Sequence, residues 1–378
     1  MKIIFEKNVL NQALTPAMSA VSTKNIIPAT SGIFMKTLGA DSVMICSFDL
    51  EKGVRSIIPA QVVEEGCYVI NAVRLNQIVK ALNCDEITIE VDEKCITKIT
   101  GGRSEFSMPS LPGTDFPSIP DLDDEEDLVI PQKVLKSMIS RTIFAVAQTD
   151  QRPIYCGVYF EVKDSKIVAV SCDSFRLAYT DKECEIKNIN KEGKSDYTFI
   201  VPGKTLIELM KFLNEGEEDF VSLKLTHKHA IFKLDGLVFF TRLLEGQYID
   251  YNRYIPKDNT IFVNIETEAF MDSLERAALI SEEKAQVRNF VKCNFTDDLL
   301  VITANAVSGN VYDEVMTQKE GSDIEICFTC RYLLEALRAC NVEKIKLSMS
   351  APLRAMVIEP DGECDENFLF VTLPTRMK

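Results

Sequence analysis

The sequence predicts an α+β chain of three similar domains, each with two helices packed on a mostly antiparallel sheet. Three observations carry that reading. A pattern recurs without gaps at Val69–Asn83 (VINAVRLNQIVKALN), Ile200–Asn214 (IVPGKTLIELMKFLN) and Cys327–Asn341 (CFTCRYLLEALRACN), at offsets of 131 and 127, each near one third of the 378 residues. Every copy changes period in the same way, from a short apolar strand through a turn to a helix with leucines three and four apart. Two stretches with linker composition, Met108–Pro131 and Gly246–Pro256, separate the copies.

Within each copy Leu75, Leu206 and Leu333 coincide, as do Lys80, Lys211 and Arg338. The closing Asn83, Asn214 and Asn341 suit left-handed helix caps. An alternating strand follows at 87–91, 221–225 and 345–349. A second helix opens each unit near 9–20, 134–147 and 269–279. In the middle one Val134, Leu135, Met138, Ile139, Thr142, Ile143 and Val146 form one stripe, with Lys133, Lys136 and Arg141 off it. Strands are expected after these helices at 32–35, 157–160 and 290–293. The first linker holds prolines 109, 112, 117, 120 and 131 and an acidic run from Asp121 to Asp127. The domains are thus expected at 1–120, 128–248 and 257–378.

Composition is that of a globular protein, with 46% apolar and 26% charged residues. Lys and Arg number 42 against 57 Asp and Glu, a net charge of −15. Such a chain repels phosphate, so any nucleic-acid role needs basic groups gathered on one surface. No apolar run approaches the roughly 18 residues of a membrane span. Met1–Lys7 meets charge after three apolar residues and has no signal-peptide core. The twelve cysteines show no framework and read as reduced thiols in the cytoplasm.

Motifs for chemistry are weak. Gly203-Lys204-Thr205 follows a strand, but Thr198 stands where a phosphate-binding loop needs Gly, and Pro202 lacks an N–H. Cys327 and Cys330 form one pair without the four ligands of structural zinc, and buried thiols account for them. His227 and His229 are expected on one face of a strand. No Ser or Cys can be matched to either histidine by spacing. The acidic run in the linker reads as a solvated block. No catalytic residue, metal ligand or cofactor is expected.

Five stretches then carry a family resemblance: Arg103–Ser107 with Leu111-Pro112 and Asp115-Phe116-Pro117; Arg141-Thr142 with Phe144–Ala147; Arg152-Pro153 with Gly157-Val158; Asp173–Ala178; and Leu373–Arg376. In this order, in a triplicated chain, they resemble the bacterial sliding clamps, the β subunits of DNA polymerase III, over all 378 residues. The resemblance implies the DNA-clamp fold and a head-to-tail homodimer forming a six-domain ring around double-stranded DNA, held without sequence preference. It implies a processivity factor with no catalysis of its own, DNA-directed DNA polymerase activity belonging to the complex. Its place would be the bacterial cytoplasm, at the replisome on the nucleoid, with no membrane contact. Partners would be the replicative polymerase alpha subunit, the clamp loader, repair polymerases, and ligase or mismatch-repair proteins, joined through short peptide motifs.

Charge supports this independently. The six candidate helices hold ten basic and five acidic residues, leaving −20 for the rest of the chain. Expected towards DNA are Arg74, Lys80, Lys133, Lys136 and Arg141, then Lys204, Lys211, Arg331 and Arg338, with Lys24 and Arg152 outside the helices. The opening helix of the last unit departs from this, at net −2. The resemblance places a peptide pocket at Cys172, Ser174, Phe175, Arg176 and Leu177. Ile249, Arg253 and Tyr254 join from the second linker, and Val371, Leu373, Pro374, Thr375 and Arg376 from the terminus. Phe175 and Leu177, two apart, share a face if the segment is extended. Ile249, Tyr254 and Thr375 depart from the family, which often has Pro, a smaller aliphatic and Met there. Two other readings stay open: a nucleotide- or zinc-dependent enzyme on a triplicated scaffold, and a peptide-binding adaptor that never encircles DNA.

Overall fold

Among the described residues the α-helices are α1 Lys7–Ala17, α2 Ala72–Ala81, α3 Gln132–Thr142, α4 Gly203–Met210, α5 Thr267–Ser281 and α6 Cys330–Cys340. The computed structural model describes residues 1–378 except 24–26, 121–125, 191–195, 282–289, 307–308, 363, 365 and 377–378. α2, α4 and α6 begin at the same position of the repeat, directly after the strands Cys67–Asn71, Asp196–Pro202 and Ile324–Thr329. The Asn71 side chain caps α2 by accepting the Arg74 N–H at 3.0 Å. Ala72, Leu75 and Val79 turn that helix's apolar face inward. Of the three closing asparagines only Asn341 is left-handed, at φ 48°. α2 ends instead in the extended Leu82, and the Asn214 N–H is donated to the Gln132 side chain at 2.8 Å.

The chain packs as two compact units. The first comprises Met1–Gln132, Lys187–Gly193 and Glu208–Leu243; the second comprises Lys133–Ile186, Lys194–Ile207 and Leu244–Lys378. The first is built on one fourteen-stranded sheet. The strand Lys52–Pro59 of the first third pairs there with Leu237–Arg242 of the middle third, from Lys52 opposite Thr241 to Ser56 opposite Leu237. Gly53 is needed at this join, because a Cβ would lie 2.1 Å from the Phe240 ring. Phe48 packs on the same ring at 5.4 Å.

The second unit has a nine-stranded and a four-stranded sheet. Its join repeats the first: Arg176–Glu183 pairs with Asn367–Thr372, from Arg176 opposite Thr372 to Asp181 opposite Asn367. The middle third therefore divides, because each of its two sheets continues into a neighbouring third. Phe270, Leu274, Leu333, Leu337 and Phe370 fill the core beneath α5 and α6.

Both expected linkers carry structure. Ser104–Pro112 is one strand that changes partner at its prolines: Pro109 lies opposite Ile96, and Ser110–Pro112 pairs with Tyr68–Ile70. The missing proline donors are tolerated where pairing switches. Phe116 then stacks on Phe34 at 4.9 Å. Most of the acidic run, 121–125, lies outside the described residues. Its last member, Asp127, is buried and structural, accepting the Leu225 N–H at 2.7 Å. In the second linker Tyr248 is buried and Ile249, Tyr251 and Ile255 pack against the core, so this is a fastened strap.

Candidate functional site

The second unit carries an exposed apolar patch over a buried floor. The strands Lys166–Cys172 and Arg176–Glu183 are joined by a tight turn in which Ser174 takes a positive φ of 74°. The Asp173 carboxylate holds this turn, accepting the N–H groups of Phe175 at 3.0 Å and Arg176 at 3.1 Å. Phe175 therefore stands outward, 56% exposed. Leu177 is buried beside Val371 and Cys172. Phe175 lies in the turn, one residue before the strand Arg176–Glu183 begins, so strand alternation does not reach it and the two side chains differ in exposure.

The terminal segment runs alongside. The Leu373 N–H is donated to the Phe175 carbonyl at 2.8 Å, and the Thr375 N–H to the Cys327 carbonyl at 2.7 Å. The Thr375 and Thr329 hydroxyls lie 3.3 Å apart, so Thr375 fastens the terminus where the family often has Met. Leu373 remains exposed, with Pro374 partly covered and Arg376 exposed. From the strap, Tyr254 and Arg253 are exposed, and Arg253 pairs with Asp250 at 2.8 Å. Ile249 packs against the floor.

Tyrosines form much of this floor, a feature the repeat pattern did not signal. Tyr159 stacks on Tyr248 at 5.0 Å, and the Tyr248 hydroxyl reaches the Cys172 Sγ at 3.8 Å. Burial pushes the Cys172 thiol up, and burial, then Cys172, push the Tyr155 and Tyr248 hydroxyls up. These groups stay protonated at neutral pH, which suits binding apolar side chains rather than nucleophilic attack. Arg152, expected towards DNA from outside the helices, lies beside this floor: its guanidinium is 4.1 Å from the centre of the Tyr155 ring. Arg176 is buried, 8% exposed, and braces the patch from beneath.

The basic residues divide by environment. In the first unit Arg74 and Lys80 stand exposed on α2, and Lys211, just past α4, pairs with Glu208 at 2.8 Å. In the second, Lys204 is exposed and Lys133 and Lys136 are half-buried on α3. On α6 Arg331 lies 3.8 Å from Glu335, and Arg338 lies 2.8 Å from Glu275 of α5. Arg141 is corrected: it is buried, paired with Glu366 at 3.3 Å and placed 4.9 Å over Phe368, so it is not offered to DNA. Lys24 lies outside the described residues.

The weaker motifs take ordinary structural roles. A Cβ on Gly203 would lie 2.8 Å from Val146, so close packing needs that glycine. The Cys330 thiol is donated to the Leu274 carbonyl at 3.4 Å. His227 sits in a turn and only His229 is on a strand. Among the described residues no helix is long and apolar enough to cross a membrane.

Comparison with known proteins decides the family. Family profiles for the DNA polymerase III beta subunit match in order: the N-terminal domain over residues 1–120, the central domain over 129–250 and the C-terminal domain over 252–376. The chain belongs to the DNA polymerase III beta subunit family. The beta sliding clamp of Halalkalibacterium halodurans is 32% identical over 99% of this chain and 100% of its own. That of Bacillus subtilis is 30% identical over 100% of both. The crystal structure of the Bacillus subtilis DNA polymerase sliding clamp overlays with a TM-score of 0.92 at 28% identity, covering 100% of both chains. A Pseudomonas aeruginosa sliding clamp bound to griselimycin gives 0.89 at 26%, again over 100% of both. The fold is the three-domain clamp fold, and the function is that of a bacterial replication clamp, a non-catalytic processivity subunit. The enzyme and free-adaptor readings find no support in these relatives.

Proposed function

We propose that two copies of this chain close head to tail into a ring around duplex DNA, and that the patch of the second unit docks short peptides of replication and repair enzymes. One observation carries the ring. The third strand after each opening helix is Lys52–Pro59, Arg176–Glu183 and Gly309–Met316 in turn. The first two each meet the last strand of the following third. Gly309–Met316 has a single neighbour among the described residues and exposes Tyr312 and Met316. Its expected partner type, the last strand of a first third, is Ser104–Pro112, whose Ser104–Ser107 stretch is exposed with Phe106. A second copy supplies each unmet edge, giving a closed, self-terminating assembly. The domain boundaries 1–120, 128–248 and 257–378 go with this reading, as does work in the bacterial cytoplasm at the nucleoid.

DNA would meet the exposed helix faces that carry Arg74, Lys80, Lys133, Lys136, Lys204 and Lys211. Phosphate contacts of this kind are mobile and sequence-independent, which suits sliding. A ring also keeps a tethered polymerase at high effective concentration near the primer end. In the patch, Phe175, Leu373 and Tyr254 offer apolar area around a tyrosine floor, with Arg152, Arg253 and Arg376 beside it. Burying two such side chains contributes about 3–6 kcal/mol before ordering costs, a strength suited to partners that exchange. The polymerase, loader and repair proteins would share it. That a relative is bound to griselimycin supports a ligand site on this fold.

Light scattering should give twice the chain mass, and the protein should stay on nicked circular plasmid and leave when the plasmid is cut. A monomer at micromolar concentration, or equal retention on linear DNA, overturns the ring. Deleting Leu373–Lys378 should abolish binding of a labelled peptide in which Gln precedes apolar and aromatic residues, while the dimer persists. Unchanged peptide binding removes the patch assignment.

A further inference from the structure

Arg176 lies behind the peptide patch, and one of its partners, Glu335, comes from a helix 159 residues away in sequence. Its Nε is donated to the Asp173 carboxylate at 3.0 Å. Its Nη1–H is donated to the Glu335 carboxylate of α6. The guanidinium plane sits 4.5 Å from the centre of the Tyr332 ring and 5.4 Å from that of Phe144. Tyr332 and Glu335 are three apart on α6, so one face of that helix grips both the plane and the tip of the guanidinium. The grip reaches the patch by two short routes. Asp173, held by Arg176, in turn holds the Phe175 N–H. The Tyr332 ring lies 6.1 Å from the Phe175 ring.

Electrostatics makes Glu335 the adjustable member. Arg176 is nearly dry and carries a guanidinium charge, so it needs its carboxylates. Asp173 is committed locally to the turn. Glu335 is about one-third exposed and is shared with Arg331 at 3.8 Å on the open face of the helix. More than half of the Phe175 surface faces solvent, so its position depends on these few contacts. The turn that presents it also contains Ser174 at positive φ, a conformation that must be held by its surroundings.

We infer that Glu335 is a positioning residue for the peptide patch, fixing Phe175 through Arg176 without touching the bound peptide. This rests on the proposed peptide site. It also assigns Arg176 a role behind the patch rather than a direct contact with the partner.

The test is fluorescence anisotropy on the full-length dimer, with the labelled peptide in which Gln precedes apolar and aromatic residues. Glu335→Gln keeps the side-chain shape and loses the charge, and should weaken binding roughly 3–10-fold, the scale of coupling through a packed network. Glu335→Asp, which keeps the charge, should recover part of the loss. In a Phe175→Ala background, Glu335→Gln should cause no further loss, since its effect passes through Phe175. Thermal melting of each variant checks the fold, and the conservative Gln change keeps the test usable if Glu335→Ala fails to fold. Wild-type affinity in Glu335→Gln overturns the inference, as does an equal further loss in the Phe175→Ala background. Wild-type affinity in Phe175→Ala alone overturns the peptide site itself, a different failure.

Discussion

Lys80 in the first unit and Arg338 in the second occupy the same position of the repeat, yet their surroundings are opposite. Lys80 and Arg74 stand exposed on a helix with no acidic residue, and neither has an ion-pair partner among the described residues. Arg338 faces Glu275 at 2.8 Å, Arg276 is hydrogen-bonded to Asp313, and Arg331 lies near Glu335. α5 adds exposed Glu268 and Asp272. Lys211, the third member of the position, is intermediate, held by Glu208 of its own helix. The repeat thus keeps the site of the cation but not its availability. Exposed ion pairs add little stability, so their main effect here is to neutralise the face. A phosphate approaching the last third must displace a carboxylate, whereas one approaching α2 need not.

The comparison can be broken by substitution, most strongly on α2. Arg74→Glu with Lys80→Glu should reduce the protein held on nicked circular plasmid by roughly tenfold or more at physiological salt. It should also lower the slope of log retention against log salt by about two per chain. Arg331→Ala with Arg338→Ala should change that slope by less than about one, because those cations are already countered. Equal slopes for the two double variants would show that the two faces meet DNA alike. A smaller effect sharpens the contrast from the other side: Glu275→Gln frees Arg338 and should raise retention about twofold, on the scale of an exposed pair. The smallest effect concerns pH. The hydrogen bond from Arg276 holds the Asp313 carboxyl below its usual range. A depressed carboxyl stays ionised as pH falls, so this pair persists from pH 8 to 5 and is lost only below the ordinary carboxylate range. Arg276→Ala should therefore change retention by the same factor at pH 8 and at pH 5, because the carboxylate it releases is ionised at both.

Much of this architecture is written in local periodicity. The helix starts at Ala72, Gly203 and Cys330 and the alternating strands at 86–91, 220–225 and 344–349 fall where spacing places them, because those signals lie within a few residues. What the sequence hides is pairing over distance. Arg141 reads as a surface cation until Glu366 and Phe368 are brought to it. Arg176 reads as a patch residue until Glu335 and Tyr332 are seen behind it. Phe175 and Leu177 look equivalent until the strand is seen to begin at Arg176, leaving Phe175 exposed in the turn and Leu177 buried. Tyr155, Tyr159 and Tyr248 join only when the strap folds over the sheet, and no local pattern marks them.

The two strand joins, Lys52–Ser56 with Leu237–Thr241 and Arg176–Asp181 with Asn367–Thr372, bear on how the chain melts. A repeat that owned its sheets outright would unfold alone. Here half of the middle repeat is hydrogen-bonded into the first and half into the last, so loss of order follows the two packed units rather than the three repeats. Cut out by itself, the middle repeat would expose two raw strand edges, the kind that recruit other chains and aggregate. The triplicated sequence is therefore modular in its pattern, but its middle module is not separable in its stability.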